Sequence, residues 1–518
     1  MKYKSYILLI LIIFTCVSSL LFSNQAISAQ TPKQPNILLF LVDDMGWQDT
    51  SVPFYTEVTP LNKRYQTPNM QQLANRGMKF TQAYACSVCS PTRVSLMTGM
   101  NAARHRVTNW TLSKNASNDR GHAKLTFPKW NVNGLSPEAG IERTVYAKAL
   151  PAYLQEAGYR TIHAGKAHFG AIGTPGADPI NVGFDVNIGG HAAGGPGSYL
   201  GTQNFSAVWR KGSKQWDVPG LEKYHGKDIF LTEALTIEAN LAIDQAVEDN
   251  KPFFLYMAHY AVHVPFAKDE RFYQKYKDAG IDHTESMYAA IVEGMDKSLG
   301  DLLKNVERHG LTDNTIVLFM SDNGGLSASG RGGKRHTHNL PLSSGKGSAH
   351  EGGVRVPMIV YWPGVTKDGS VCTQPVIIED FFSTILELAG IQDVQQVGGN
   401  IDGSSFVSLL QGSHDSTRDY RPLYWHFPNN WGPSGPGIGA SSCIRQGDWK
   451  LIYYHANQQY ELFNIAQDLS EQVNLAESKP EIRNRLAKKL AWYLASVKAQ
   501  MPISKATGKA VPYLNTED

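Results

Sequence analysis

Asn36-Ile37-Leu38-Leu39-Phe40-Leu41-Val42 is an unbroken apolar run that stops at two carboxylates, Asp43-Asp44. A strand wet on one face alternates apolar and polar residues, so a continuous run predicts a strand buried on both faces, as in a mainly parallel sheet. Three further runs repeat the pattern, Phe253 to Ala258, Thr315 to Met320 and Pro357 to Tyr361, each bounded by charge, Gly or Pro. Helical patterns lie between them. Thr67-Pro68 opens one with proline in its first turn and Gly77 closes it, and Met287 to Leu303 carries apolar residues at three- and four-residue spacing. Alternating strands and helices predict an α/β fold, a large, mainly parallel sheet sandwiched by helices. From about residue 418 the character changes: Ser441 to Ile452 reads as a hairpin, Tyr460 to Asn464 as a strand, and Pro480 to Val497 as an amphipathic helix.

The polar motifs fall where such a sheet binds ligands, beyond the carboxyl ends of its strands. Asp43-Asp44 follows the first run, His263 the run from 253, and Asp322-Asn323 the run from 315. One composite site is therefore expected. Asp43, Asp44, Asp322 and Asn323 are hard oxygen donors, a set that suits one calcium ion better than magnesium, which prefers water, or zinc, which wants His or Cys. Taken alone, Asp43-Asp44 also reads as a helix N-cap with its neighbour in solvent.

The 518 residues suffice for two or three domains or one large α/β unit with an appendage, and a net charge of +3 with no basic run offers nothing to nucleic acid. Lys2 and Lys4 precede the apolar stretch Tyr6 to Phe14, which relaxes into Ala26-Ile27-Ser28-Ala29-Gln30. Residues 1–29 thus read as a signal peptide cleaved after Ala29, predicting export, in the main to a periplasm. Cleavage after Ser28, retention as a membrane anchor, and lipidation of Cys16 are the alternatives; Ile13-Phe14-Thr15-Cys16 lacks the small residue a lipobox wants before its cysteine. Cys86, Cys89, Cys372 and Cys443 remain, a number that permits a disulfide, Cys372 to Cys443 among the pairings, without demanding one.

Cys89-Ser90-Pro91-Thr92-Arg93-Val94-Ser95-Leu96-Met97-Thr98-Gly99 carries the chemistry. Cys86-Ser87-Val88-Cys89 alone would suit a redox couple or half a zinc site, but no second C-x-x-C exists, and only Cys89 has Pro at the second and Arg at the fourth following position. The segment resembles the sulfatase signature. That resemblance implies oxidation of Cys89 to formylglycine by a maturation enzyme. The hydrated aldehyde then attacks the sulfur of a sulfate ester; its second hydroxyl can expel sulfate, an exit a thiolate adduct lacks.

Other segments match the family in the family's order. Tyr159 to Gly170 is similar to its G-Y-x-T-x-x-x-G-K-x-H segment, which implies Lys166 on a sulfate oxygen and His168 as the base that collapses the sulfated intermediate. Tyr260-Ala261-Val262-His263-Val264-Pro265 resembles the P-H-x-P element, with Val262 in place of the usual proline. Gly345 to Pro357 is close to G-K-x-x-x-x-E-G-G-x-R-V-P. By resemblance, Lys346 and His263 flank the bridging oxygen, Arg93 holds the formylglycine hydrate and the aspartates in register, and Asp43, Asp44, Asp322, Asn323 and the residue made from Cys89 ligate the ion. Glu351, Arg355 and His163 are expected to be structural. A serine usual near Gly189 to Ala193 is missing, with His191 the residue that could occupy its corner.

The resemblance runs from Asn36 to about Trp492 and implies an alkaline-phosphatase-like catalytic domain over residues 30–417 and a C-terminal subdomain over 418–518, a small antiparallel sheet packed with a helix. The expected activity is hydrolysis of sulfate esters, on sulfated carbohydrate given the predicted export. The rivals are a phosphodiester or phosphonate monoester hydrolase of the same superfamily and a non-catalytic, glycan-binding pseudosulfatase with unmodified Cys89. Arg104-His105, the loop Arg331 to His338, and Tyr424-Trp425-His426-Phe427 offer cationic and aromatic groups suited to a charged sugar, or equally to the surface.

Overall fold

The computed structural model describes residues 34–210, 213–392, 394–397 and 399–514. The expected signal peptide, with Cys16, lies outside the described residues. The apolar runs become the centre of a nine-stranded mixed sheet. Its strands are β1 (Asn36–Val42), β2 (Met78–Tyr84), β3 (Arg160–Gly165), β4 (Val186–Ile188), β5 (Phe253–Ala258), β6 (Thr315–Ser321), β7 (Arg355–Tyr361), β8 (Ser370–Cys372) and β9 (Val376–Ile377). The order is β8-β2-β7-β6-β1-β5-β3-β4, with β9 also on β2.

β1 lies between β5 and β6, parallel to both, with Leu39 opposite Tyr256 and Leu318. β7 alone runs antiparallel to both its neighbours, β2 and β6. Both faces are covered, as the unbroken apolar runs require. Ile37, Leu39 and Leu41 point into one core with helices α2 (Cys89–Thr98) and α5 (Asp380–Leu388). Leu38, Phe40 and Val42 point into the other, with α1 (Pro68–Arg76), α3 (Leu231–Glu248) and α4 (His283–Arg308). The expected helix at 287–303 is longer at both ends, and at its start Asp282 caps it by accepting the Glu285 N–H at 3.1 Å.

A four-stranded antiparallel sheet follows, β10 (Leu423–Phe427), β11 (Ser441–Gln446), β12 (Trp449–Tyr454) and β13 (Gln459–Asn464). Helix α6 (Pro480–Ser496) packs on it through Leu486, Leu490 and Leu494 against Ile444, Leu451 and Leu462. Lys450 of β12 is buried with Glu351 at 2.9 Å and Glu471 at 3.0 Å, tying this sheet to the helical turn 351–354 that leads into β7. Cys86, Cys89, Cys372 and Cys443 are all free thiols, so the pairing left open for Cys372 and Cys443 is not made. No helix among the described residues is long and apolar enough to cross a membrane.

Candidate active site

The parallel pairing of β3, β5, β1 and β6 brings their carboxyl ends to one edge. Past that edge the loops are stitched together by backbone hydrogen bonds: Asp43 N–H donates to Ala261 O at 2.9 Å, Val262 N–H to Asp43 O at 2.7 Å, and Asp322 N–H to Val42 O at 2.9 Å. Tyr199 Oη donates to the carbonyls of Tyr260 (2.6 Å) and His263 (2.8 Å), fixing the loop that carries His263. Asp43, Asp44, Lys166, His168, His263, Asp322 and Asn323 thereby converge, as the sequence predicts.

Cys89 is the first residue of α2, a helix buried along its whole length and closed by Gly99 in the left-handed conformation. Arg93 lies one turn further on the same face. Its Nε and Nη2 donate to Asp322 Oδ2 at 3.0 and 2.8 Å, and its Nη1 to the Lys166 carbonyl at 2.8 Å. Lys166 Nζ reaches Asp43 Oδ2 at 2.6 Å, and Lys346 Nζ reaches Asp44 Oδ1 at 2.6 Å. Asn323 Nδ2 also donates to Asp44 Oδ1, at 2.8 Å. Cys86, three residues before Cys89, turns into the core; burial pushes its thiol up to about 12.

The electrostatics follow from burial and pairing. Burial holds Asp43 well above the usual carboxylate range, with Asp322 adding to it. Burial opposes ionisation of Asp44 too, but Lys346, with Lys166 and the Asn323 amide, outweighs it and holds the carboxyl low. The Cys89 thiol is raised by burial, with Lys166 and Lys346 pulling the other way. Both site histidines are held neutral, chiefly by burial: His263 down to about 3, aided by Lys346, and His168 well below the usual range, aided by Lys166. Their tautomers can be read from carbonyl partners, which only accept. His263 donates from Nδ1 to Val264 O at 2.6 Å, leaving Nε2 toward Asp44 Oδ2 at 3.7 Å. His168 donates from Nε2 to Thr111 O at 2.8 Å, leaving Nδ1 buried and bare.

Three buried oxygens, Asp43 Oδ1, Asp44 Oδ2 and Asn323 Oδ1, have no hydrogen-bond partner among the described residues. Orphaned buried acceptors are costly, and a hard cation is the group that would satisfy three at once. Ligand atoms of Asp43, Asp44 and His263 lie within 4.8 Å of one another. Asp322 is more engaged than its neighbours: Oδ2 takes Arg93 and Oδ1 takes the Asp44 N–H at 3.2 Å. The donor set fits calcium or another oxygen-seeking cation.

Asp44, Cys89, His168, His263 and Lys346 line a cavity of about 500 Å³. Asp43, Arg93, Lys166, Asp322 and Asn323 are fully buried beside them. Lys166 thus pairs with Asp43 beside the cavity, as Lys346 pairs with Asp44. His191 contributes its carbonyl to the His168 N–H at 3.1 Å, while its ring leans on Tyr260. His163 is buried among Phe169, Phe184 and Tyr256, and Glu351 holds Lys450, Tyr84 and Arg355, so both are structural.

The expected sugar-binding groups are corrected by the structure. Arg104 pairs with Asp402, and His105 is buried on Ser95. Arg331 is buried between Asp49 and Glu285, and His338 bonds Ser327 and Gly332 O. Trp425 and His426 are buried, on Ala85 O and Ser442. Arg104, Arg331 and Trp425 are taken up by partners distant in sequence, and His105, His338 and His426 by nearer ones. The groups that do line the cavity include Trp110, Arg120, Trp209, Arg210, Trp216 and Trp431, which sequence reasoning missed because they are scattered over separate loops without a shared motif.

The sulfatase family model matches residues 35–391, and that of the N-sulphoglucosamine sulphohydrolase C-terminal region matches residues 345–500. A sulfatase of Formosa agariphila is 30% identical, covering 95% of this chain and 95% of its own. Human N-acetylgalactosamine-6-sulfatase is 29% identical, covering 88% of this chain and 84% of its own. Among solved structures, Ps i-CgsB in complex with k-i-k-neocarrahexaose matches with a TM-score of 0.69 and 27% identity, over 89% of this chain and 93% of that one.

Proposed function

This chain belongs to the sulfatase family and is a sulfuric ester hydrolase, and from that premise we propose that it desulfates saccharides with formylglycine made from Cys89 and one bound calcium ion. The observation that carries the reading is the cluster of three orphaned buried oxygens on Asp43, Asp44 and Asn323 beside residue 89, at a cavity that also presents Lys346, His168 and His263. Asp43, Asp44, Asp322 and Asn323, with residue 89, would hold the ion. When present, formylglycine supplies a hydrated aldehyde as nucleophile and the cation supplies positive charge for the sulfate oxygens. The saccharide substrate is supported by the relatives, one named for N-acetylgalactosamine 6-sulfate and one bound to a carrageenan hexasaccharide. The charged and apolar stretch at 1–29 makes export, to a periplasm, part of the reading, as is a maturation enzyme acting on Cys89.

The chain's own residues divide the work. Arg93 holds Asp322 and the Lys166 carbonyl, so the carboxylates stay in register with the helix that carries residue 89. His168, with Nε2–H on Thr111, keeps Nδ1 as a proton acceptor. His263 is anchored through Nδ1 and turns Nε2 to the cavity side of Asp44. An anionic ester beside that nitrogen favours the imidazolium, which can protonate a sugar alkoxide as it leaves. Lys346 adds fixed positive charge on the same side.

Peptide mass and sulfate release, measured on wild type, Cys86→Ala and Cys89→Ala, test the reading. Oxidation to the aldehyde should be found at residue 89 in wild type and Cys86→Ala, with turnover in both and none in Cys89→Ala. An active Cys89→Ala protein would overturn it.

A further inference from the structure

Beyond the groups assigned to the sulfate, the cavity carries charge that no carboxylate among the described residues matches. Arg120 and Arg210 both line it, and neither guanidinium has an ion-pair partner among the described residues. This contrasts with the two site lysines, which already face Asp43 and Asp44 at 2.6 Å each. Arg210 is held in place without a carboxylate. Its guanidinium carbon lies 4.2 Å from the ring centroid of Trp209 and 3.9 Å from that of Trp216. Cation–π contact with two rings keeps the planar fork oriented while leaving its N–H donors unspent.

The rings themselves are positioned. Trp209 Nε1 donates to Gly197 O at 2.6 Å, although the side chain is half in solvent, at 52% exposure. Trp216, only 7% exposed, packs with Leu112, Ala193 and Ala207 in a small separate core that Trp110 joins. Its Nε1–H is buried and without a hydrogen-bond partner among the described residues. A buried indole N–H normally has an acceptor, so this donor, on a cavity-lining ring beside an unmatched guanidinium, points to an oxygen-rich ligand. A small aryl sulfate would use the apolar walls and leave both arginines unmatched.

We infer that the cavity binds a saccharide carrying a second anionic group besides the sulfate that reacts, its ring against the tryptophans and its second anion on Arg210, with Arg120 adding charge from the same cavity. The inference deepens the saccharide sulfatase reading and rests on it for the sulfate-facing end. A sulfate and a uronate carboxylate share the needed chemistry, since either accepts paired N–H donors from a guanidinium.

The test is calorimetric titration of full-length Cys89→Ala protein with three disaccharides, so that each fragment carries the charge of one repeat. A κ-carrageenan fragment has one sulfate per disaccharide, an ι-carrageenan fragment two, and a chondroitin 6-sulfate fragment one sulfate and one carboxylate. The ι fragment should bind at least about tenfold more tightly than the κ fragment, and the added substitution Arg210→Ala should cut that ratio to about threefold or less. Arg210→Lys should keep an intermediate ratio, because charge remains but the fork is lost. Tight binding of the chondroitin fragment assigns the second anion to either source; weak binding restricts it to sulfate. Equal affinities for all three, no binding by any, or a ratio untouched by Arg210→Ala overturns the inference. Sulfate release by matured wild-type protein is assayed separately. A retained ratio with no release from any fragment or from 4-nitrophenyl sulfate leaves the binding site standing and removes the hydrolytic reading.

Discussion

His263 and Glu379 show how single side chains are set by what surrounds them. His263 is anchored through Nδ1 on Val264 O, so only Nε2 can serve a ligand. A nitrophenolate departs readily as an anion, whereas a sugar alkoxide needs a proton. His263→Ala should therefore lose about a hundredfold or more on a sulfated sugar and distinctly less on an aryl sulfate, compared on fully matured protein. Equal losses would move His263 from the leaving group to sulfate binding or support of the ion site. Glu379 is buried away from the cavity; Oε1 accepts from Asn101 at 3.0 Å and Oε2 has no hydrogen-bond partner among the described residues. Burial, with Asp380 adding to it, pushes this carboxyl up to about 8. The folded protein thus holds a proton that the unfolded chain releases near its ordinary value of about 4.3. Its contribution is full below that value and is lost progressively as pH rises toward 8. Glu379→Gln should flatten the fall of Tm between about pH 5 and about pH 8 and raise Tm by about a few degrees at the upper end. Parallel Tm curves for variant and wild type would contradict this.

At the scale of elements, the site depends on how closely β3 and β5 end. Gly165 closes β3 beside Ala258 of β5, at φ 102°, and a Cβ there would meet the Ala258 carbonyl oxygen at 2.0 Å. The next residue is Lys166, whose N–H donates to that same oxygen at 2.6 Å. Gly165→Ala asks for both a disfavoured backbone conformation and a strand separation at the point from which Lys166 departs. A destabilisation of about 3 kcal/mol or more is expected from urea midpoints, with activity falling as well. A neutral result would mean that the strand ends can part without disturbing the site. Helix α2 works on the same scale, placing residue 89 and Arg93 on one face so that a local spacing joins residue 89 to the carboxylate that Arg93 holds.

For the molecule as a whole, the small sheet is tied to the large one through a buried charge cluster. Lys450 from β12 sits between Glu351, in the helical turn 351–354 that leads into β7, and Glu471; Glu351 also receives Tyr84 Oη at 2.8 Å and Arg355 at 3.2 Å. Such a cluster need not add net stability over an apolar equivalent, but removing one partner leaves carboxylates buried and uncompensated. Lys450→Met should cost about 3–5 kcal/mol of unfolding free energy, and adding Glu351→Gln and Glu471→Gln should restore part of it. Denaturant titration of the single and triple variants checks this. A triple variant no more stable than Lys450→Met would show that the loss lies in packing and not in unpaired charge.

The strands at 36–42, 253–258 and 315–321 were legible because burial on both faces leaves a signal within the segment itself, an apolar run with no period. The same holds for Cys89 and Arg93, four residues apart on a helix, and for Asp43-Asp44, His263 and Asp322-Asn323, which follow strand ends. The reversed direction of β7 was not legible, since a fully buried strand reads the same whichever way its neighbours run. Nor could the partners of isolated charges and rings be read. Arg104, Arg331 and Trp425 have internal partners at 402, at 49 and 285, and at 85, whereas Arg210, equally basic in the sequence, has two indole faces and no carboxylate among the described residues. Pairing across such separations is a property of the packed molecule. The sequence by itself determined the central buried strands and the groups around residue 89; the tertiary structure decided the direction of β7 and which cations line the cavity without a carboxylate among the described residues, because only packing shows which charges are already neutralised.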